Sequence, residues 1–323
     1  MTKTEKKEYR WQINRLALAV LFYNMTIFAV VIGDMFLRTV ITTVAMSGFS
    51  ERKQDLAMEQ LEEKLMNSGW SSILGVVAGI LLLILFFHKY HPQKAIFRAE
   101  KKMTGKDFLQ LLCVFMAAQL IFSVIAVIME SFLNLIGFTM LGEIESASAG
   151  SLTISMFLYS AFGAPIGEEI VYRGFVLRYL QRYGRWFAIV VSAALFGAMH
   201  GNLVQGMFAF TIGLVLGYVT VEYSIKWAIF LHFLNNCVFG DLLTYLMELF
   251  PEWVGNVTVF IMNIGFFIAA CILLICKRKR IAEYLRENRT PGTFYVNAFT
   301  AVWMIVFFVL EIGIGISGIE PLS

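Results

Sequence analysis

The residues best able to catalyse a reaction are polar side chains in an otherwise apolar stretch of the sequence. Glu168 and Glu169 are adjacent, Arg173 follows four residues after Glu169, and His200 and His232 lie further along in apolar surroundings. An ionisable side chain inside a bilayer costs about 3 kcal/mol or more, so such residues are retained mainly where they serve a function. Carboxylates and imidazoles are the usual general bases and acids of enzymes. The pattern predicts a hydrolytic site inside a membrane protein.

Three short motifs carry these residues, and each is expected on a helix. The motifs are Glu168-Glu169-x-x-x-Arg173, Phe196-x-x-x-His200 and His232-x-x-x-Asn236. Residues four apart lie on one helical face, so His232 and Asn236 should project together. By the same spacing, Arg173 should form an ion pair with Glu169. Glu168 is then free to point elsewhere.

These side chains suit the hydrolysis of a bond by a water molecule. A partly desolvated Glu168 is a stronger base and can take a proton from that water, which His200 can orient. His232 and Asn236 can donate hydrogen bonds to the developing oxyanion, where losing one donor typically costs about 10²–10³ in rate. Glu168, His200 and His232 could instead hold a zinc ion, because imidazole and carboxylate are zinc ligands. No H-E-x-x-H motif is present, so a metal-free glutamate mechanism is favoured and the metal question stays open.

Composition places this chemistry in a membrane. Of the 323 residues, 59% are hydrophobic and only 15% are charged, which is outside the range of soluble domains. Apolar runs of about 20 residues, long enough to cross the hydrocarbon core, recur along the chain. We predict an all-α, polytopic helical bundle, since helices satisfy their own backbone hydrogen bonds in lipid. About nine transmembrane helices are expected, at residues 16–40, 70–87, 108–136, 152–171, 186–200, 204–221, 227–249, 254–276 and 296–316.

Positive charges alternate between loops, and this predicts how the bundle is oriented. Lys and Arg are concentrated before the first predicted helix and after the second, fourth and eighth. Because basic loops stay in the cytoplasm, the N-terminus is predicted inside and the C-terminus outside. The net charge of +3 is explained by this topology, so no nucleic-acid partner is expected. The expected partners are membrane lipid and a membrane-associated protein or peptide.

Gly184 is the expected turn between the helices that carry Glu168 and His200. Each of the two residues lies 16 positions from it, so in an antiparallel hairpin they reach the same height, about 24 Å above the turn. The Trp186–His200 helix is expected to extend slightly beyond His200. Residues 150–245 are predicted to form the catalytic core, with residues 1–149 and 246–323 as flanking transmembrane helices.

Other acidic residues in apolar stretches give weaker signals. Asp34, Glu130 and Glu311 have no evident partner in the sequence. Asp241 lies on the helix of His232 but nine residues away, or about 13 Å, and is expected to pack between helices or line an outer cavity. None of these acids is therefore placed in the site.

The three motifs resemble the signatures of the CAAX-protease and bacteriocin-processing family, which includes CAAX prenyl endopeptidases and Abi-type immunity proteins. The aromatic-Arg-Gly sequence at residues 172–174 also resembles that family. The resemblance implies an intramembrane endopeptidase with Glu168 as the general base and His200 as its partner on the water. It implies that His232 and Asn236 are the oxyanion donors. Membrane-only architecture favours a bacterial cytoplasmic membrane, with peptide precursors, leader peptides or membrane-anchored regulators as substrates.

Two other functions compete with proteolysis. A non-catalytic immunity or scaffold protein would keep the fold and survive Glu168→Gln. A transporter would use Glu168 and the histidines as a proton relay, but transporters usually contain inverted repeats with broken helices, and no internal repeat is found. The substitution Glu168→Gln distinguishes a non-catalytic immunity or scaffold protein from a hydrolase.

Overall fold

The computed structural model describes residues 1–88, 96–148, 150–151 and 153–322. Lys89 and Lys94, two of the basic residues that predicted the orientation, lie outside these ranges. The predicted helix start at Leu152 also lies outside them.

Twelve helices and one small antiparallel sheet make up the described residues. The helices are α1 (Lys3–Met46), α2 (Glu51–Met66), α3 (Trp70–Phe86), α4 (Gly105–Leu135), α5 (Leu141–Ser148), α6 (residues 154–183), α7 (Arg185–Ala198), α8 (Leu203–Glu222), α9 (Ile225–Glu248), α10 (Glu252–Glu287), α11 (Gly292–Phe299) and α12 (Val302–Ser317). Strands β1 (Phe138–Thr139) and β2 (Glu320–Pro321) pair antiparallel. The predicted all-α class is confirmed.

The helices are long and apolar enough for an integral membrane protein, but the predicted number of nine spans is not confirmed. Five helices in the described ranges are long and apolar enough to cross a membrane: α1, α4, α8, α9 and α10. The count rises to seven if the bent pairs α2–α3 and α11–α12 each form one span. Helix α7 has only 14 residues, about 21 Å, which is shorter than the hydrocarbon core.

Several helix boundaries differ from the prediction because charged residues mark the membrane surface without ending a helix. Helix α10 continues beyond the predicted end at residue 276, through the basic run, to Glu287. Lys, Arg and Glu are good helix formers, which explains the continuation. The span predicted at residues 296–316 is instead two helices that meet at a bend of 66°.

The helix-breaking residue Gly184 makes the predicted turn between α6 and α7. Its φ is +137°, a conformation that L side chains rarely adopt. A Cβ at this position would lie 2.1 Å from Thr290 Oγ1. Both observations require glycine here, and the turn starts α7 on its path back beside α6.

Polar contacts tie this turn to the neighbouring helices. The side chain of Arg178 is almost fully buried and donates hydrogen bonds to the backbone oxygens of Thr220 at 3.1 Å and Arg98 at 3.0 Å. Glu222, at the end of α8, accepts hydrogen bonds from Lys101, from Arg185 at 3.2 Å and from a tyrosine of α10. The end of the bundle that is predicted to face the cytoplasm is therefore held by ion pairs and backbone carbonyls.

Candidate active site

Helices α6 and α9, which carry two of the three motifs, contain π-helical segments. In α6 these are Tyr159–Gly163 and Glu169–Leu177, and in α9 the segment is Leu234–Leu242. The wider π turn is rare and is found frequently at functional sites. It interrupts the regular α-helical spacing next to Glu168 and His232, so the directions of the site side chains depart from those of an ideal α-helix.

Glu169 and Arg173 form the ion pair that their spacing predicts. Arg173 Nη1 lies 3.1 Å from Glu169 Oε1, and both side chains are 0% exposed. The guanidinium also lies over the ring of Phe196, 4.1 Å from its centroid, an arrangement that stabilises a desolvated cation. The pair therefore joins the first motif to the second in the centre of the bundle.

His232 lies between the two glutamates. Its Nδ1 is 3.0 Å from Glu169 Oε1, and its Nε2 is 3.8 Å from Glu168 Oε2. The first distance is a hydrogen bond, whereas the second is too long for one. Glu169 thus fixes the orientation of the imidazole, and the other ring nitrogen faces Glu168. The sequence reasoning paired Glu168 with His200 and did not predict this contact.

His200 lies just beyond the end of α7, because the helix ends at Ala198 and the chain turns at Gly201, whose φ is +56°. The prediction that this helix extends past His200 is wrong. Nδ1 of His200 lies 2.9 Å from the backbone oxygen of Phe196. Since a carbonyl oxygen only accepts hydrogen bonds, this Nδ1 carries the proton and Nε2 keeps a lone pair.

The ring of Phe196 stands between the two histidines. Its centroid is 5.1 Å from the ring of His200 and 5.9 Å from the ring of His232, in edge-on geometry in both cases. No hydrogen bond or ion pair joins His200 to Glu168 in the described part of the chain. The structure therefore gathers Glu168, Glu169, Arg173, Phe196 and His232 by direct contacts, and His200 through the aromatic ring.

Asn236 lies in a separate group of polar side chains on α6 and α9. Its Nδ2 donates to the backbone oxygen of Ser160 at 2.9 Å, and its Oδ1 accepts from Asn235 Nδ2 at 3.0 Å. An amide nitrogen carries two protons, so one N–H of Asn236 remains available. Asn236 does not contact the glutamates or His232 by a hydrogen bond among the described residues.

Sequence reasoning missed the residues that hold Ser160 in place. Asp241 Oδ2 accepts a hydrogen bond from Ser160 Oγ at 2.6 Å, and Asp241 Oδ1 accepts one from the backbone nitrogen of Ser151 at 2.8 Å. Asp241 was expected to pack between helices or to line an outer cavity, and it does join the π segment of α6 to that of α9 through Ser160. Its contact with the residue that also binds Asn236 was not predicted. A residue five positions after Asn236 faces away from it in an α-helix, so nothing in the sequence indicated that both would contact Ser160.

The acids that had no evident partner in the sequence all have one in the structure. Asp34 accepts from Arg38 at 2.9 Å and from a serine of α3, and Glu130 accepts from Thr139 at 2.6 Å. Glu311 Oε1 accepts from an asparagine of α1 at 2.6 Å. The structure therefore supplies partners that were not evident in the sequence.

The candidate metal ligands do not converge into a metal site. In the ranges that the structure describes, no three His, Cys, Asp or Glu side chains are placed to hold one ion. Nδ1 of each histidine is bound, to Glu169 in His232 and to a backbone oxygen in His200, which leaves Nε2 as the nitrogen that could bind a ligand. Glu168, His200 and His232 are not gathered around one ion position in the described ranges.

Comparison with known proteins bears on the same stretch of chain. The model of a family described as type II CAAX prenyl endopeptidase Rce1-like matches residues 150–238, which contain all three motifs. Neither the curated proteins nor the solved structures give a significant match to the chain. Residues 150–238 of this integral membrane protein are therefore similar to a family of CAAX-type proteases.

Proposed function

We propose that the protein is an intramembrane endopeptidase that cleaves membrane-associated proteins or peptides near the cytoplasmic face of the membrane. The observation that carries this proposal is the position of His232 between two glutamates, one fully buried and fixed by Arg173, the other facing the free ring nitrogen. The catalytic core is residues 150–245, and residues 1–149 and 246–323 are flanking helices.

The charges of the central group support a defined protonation pattern. Two carboxylates and one guanidinium leave one negative charge, which the imidazolium form of His232, the form that can donate from both ring nitrogens, would balance. In that form Nδ1–H donates to Glu169, and Nε2–H faces the space beside Glu168. A neutral group of this kind is tolerated in a low-dielectric interior, where an uncompensated charge is costly.

The reaction requires one water molecule and no covalent intermediate. Glu168 accepts a proton from the water, whose oxygen attacks the carbonyl carbon of the peptide bond. His232 Nε2–H and the free N–H of Asn236 stabilise the oxyanion that forms. When the intermediate collapses, the C–N bond breaks and Glu168 passes the proton to the leaving amine. Each residue returns to its starting state.

His200 supplies an acceptor for the water. Because its Nδ1 is bound to the backbone of Phe196, its Nε2 lone pair can accept a hydrogen bond from the second proton of the water. This leaves the oxygen lone pair directed at the substrate, which is the geometry that nucleophilic attack needs.

The test is a comparison of new peptide termini in membranes from cells that make the wild type or Glu168→Gln. The amide keeps the shape of the side chain but is not a base, so termini produced by the wild type are expected to disappear while the folded yield stays near normal. Glu130→Gln is a matched control, since Glu130 is a partnered acid outside the core. Identical termini in all three, with the biological effect retained, would favour the non-catalytic immunity or scaffold function.

The same experiment supplies a substrate with which the metal question can be answered. Purified protein dialysed against a chelator is expected to cleave that substrate at an unchanged rate, because no step above uses a metal. Loss of cleavage that zinc restores would overturn the glutamate mechanism.

A further inference from the structure

A row of three side-chain amides runs from α4 to the oxyanion donor proposed above. Gln119 Nε2, on α4, donates a hydrogen bond to Asn235 Oδ1 at 2.8 Å, and Asn235 Nδ2 donates to Asn236 Oδ1 at 3.0 Å. Asn236 Nδ2 then donates to the backbone oxygen of Ser160 at 2.9 Å. These three side chains, called the amide chain below, link a helix outside residues 150–238 to the candidate active site.

The backbone oxygen at one end fixes the direction of every hydrogen bond in the amide chain. A carbonyl oxygen only accepts hydrogen bonds, so Asn236 must present its nitrogen to Ser160 and its oxygen to Asn235. Asn235 in turn must present its nitrogen, which leaves its own oxygen facing α4. That oxygen needs a donor, and Gln119 provides it. A side chain without a donor at position 119 would leave the Asn235 oxygen unsatisfied and its amide free to rotate.

Gln119 lies in an apolar part of α4. Residues 111–118 and 120–122 are all apolar, and the helix packs beside α9, where Phe108 lies against Phe230 with ring centroids 5.6 Å apart. A polar side chain in a transmembrane helix is accommodated by a hydrogen bond to a neighbouring helix. The hydrogen bond from Gln119 meets α9 in a part-buried contact at its π segment, which is the segment that carries Asn236.

The proposed reaction needs the second N–H of Asn236 to point in one direction. Two hydrogen bonds at opposite ends of this amide, one from Asn235 to Oδ1 and one from Nδ2 to Ser160, hold its plane. Because an amide group is planar, the remaining N–H then has a single direction. Donors that are held in place stabilise an oxyanion better, since they do not have to reorient as its charge develops.

We propose that Gln119 is a positioning residue of the peptidase reaction, acting through Asn235 to hold the amide of Asn236 toward the oxyanion. This inference rests on the proposed function, because it requires a reaction in which Asn236 binds an oxyanion. Gln119 itself does not touch the reacting atoms. Its role adds α4 to the helices that determine the rate of cleavage.

The test is a double-mutant cycle on the rate of cleavage. Full-length protein in lipid nanodiscs is given the substrate identified from the new peptide termini, and kcat and KM are measured for the wild type, Gln119→Met, Asn236→Ala and the double variant. Methionine keeps the length of glutamine but donates no hydrogen bond. Gln119→Met is expected to lower kcat about tenfold or more with little change in KM, since the oxyanion donor remains but is no longer held.

The double variant separates positioning from simple packing. When Asn236 is already alanine, Gln119→Met should lower kcat by less than about twofold, because a positioning residue has no effect once the group that it positions is gone. If Gln119→Met folds poorly, Asn235→Leu breaks the amide chain at its middle link and should show the same loss of kcat and the same dependence on Asn236.

Gln110→Met is the matched control, because Gln110 lies on the same helix, is also part-buried and is bonded instead to Lys277. It should cleave as the wild type does. An unchanged kcat in Gln119→Met, or an equal fold loss with and without Asn236, would overturn the inference and show that Gln119 only packs α4 against α9. Cleavage that persists in Glu168→Gln would instead refute the proposed function, and the positioning role with it.

Discussion

The buried ion pair of Glu169 and Arg173 makes a quantitative prediction about stability. Both side chains are 0% exposed, so Arg173→Met leaves a carboxylate in the interior with only His232 beside it. Removing one partner of a buried pair costs about 3–5 kcal/mol. For a chain of 323 residues, that free energy corresponds to a fall in melting temperature of about 4–7 °C.

A double variant separates the ion pair from simple loss of packing. Glu169→Gln combined with Arg173→Met removes both charges and keeps an amide oxygen that can accept from His232 Nδ1. Since a buried pair can often be replaced by neutral groups with little loss, the double variant is expected within about 1–2 kcal/mol of the wild type. It should therefore be more stable than Arg173→Met alone.

The assay is thermal unfolding of purified protein, followed with a thiol-reactive dye. Three of the four cysteines are partly buried and become reactive on unfolding, whereas Cys276 is exposed and is replaced by serine in every variant. Arg98→Met is the control, because its ion pair with Glu100 is at the surface and should contribute less than about 1 kcal/mol. A melting temperature for Arg173→Met equal to that of Arg98→Met would refute the reasoning, as would a double variant less stable than either single one.

Three further predictions concern the turn, the ion-pair cluster and the oxyanion donor. Gly184→Ala should destabilise the protein by about 1–3 kcal/mol because of the positive φ at this position. Adding Thr290→Ala removes the hydroxyl that the new Cβ would meet, so in thermal unfolding the double variant should recover only the part of the loss that is due to this contact. Glu222→Gln leaves basic groups without their buried carboxylate and should cost about 1–3 kcal/mol, whereas the exposed Glu287→Gln should cost almost nothing in the same assay. Asn236→Ala should lower kcat about 10²-fold or more with little change in KM, measured on the substrate identified from the new termini; an unchanged kcat would remove Asn236 from the oxyanion site.

Contacts within one helix were predictable from the sequence, and contacts between helices were not. The spacing of four residues was enough to predict the pairing of Glu169 with Arg173. The same rule would have found Arg38 as the partner of Asp34, so that omission was avoidable. By contrast, Glu311 and Asn24 are 287 positions apart, and no local pattern joins them.

The assignment of partners within the site failed for a related reason. Equal distances from Gly184 predicted equal heights for Glu168 and His200, but height along a helix says nothing about its rotation. The π segments of α6 and α9 change that rotation at Glu169 and after Phe233, and the contact that results is between Glu168 and His232. Hydropathy and spacing carry no signal for a π turn, so the sequence could bring the motifs together without assigning which residues touch.

The two adjacent glutamates show how the structure can give one residue type two roles. Glu169 is fully buried and contacts both Arg173 and His232 through one oxygen, so its partners hold it in place. Glu168 is held by no hydrogen bond among the described residues and faces His232 Nε2 at 3.8 Å. Different environments for neighbouring carboxylates are how enzymes separate a structural anion from a catalytic base. On this argument Glu169→Gln should impair the orientation of His232, whereas Glu168→Gln should remove the base itself, and only the second variant should lose all cleavage while keeping its stability.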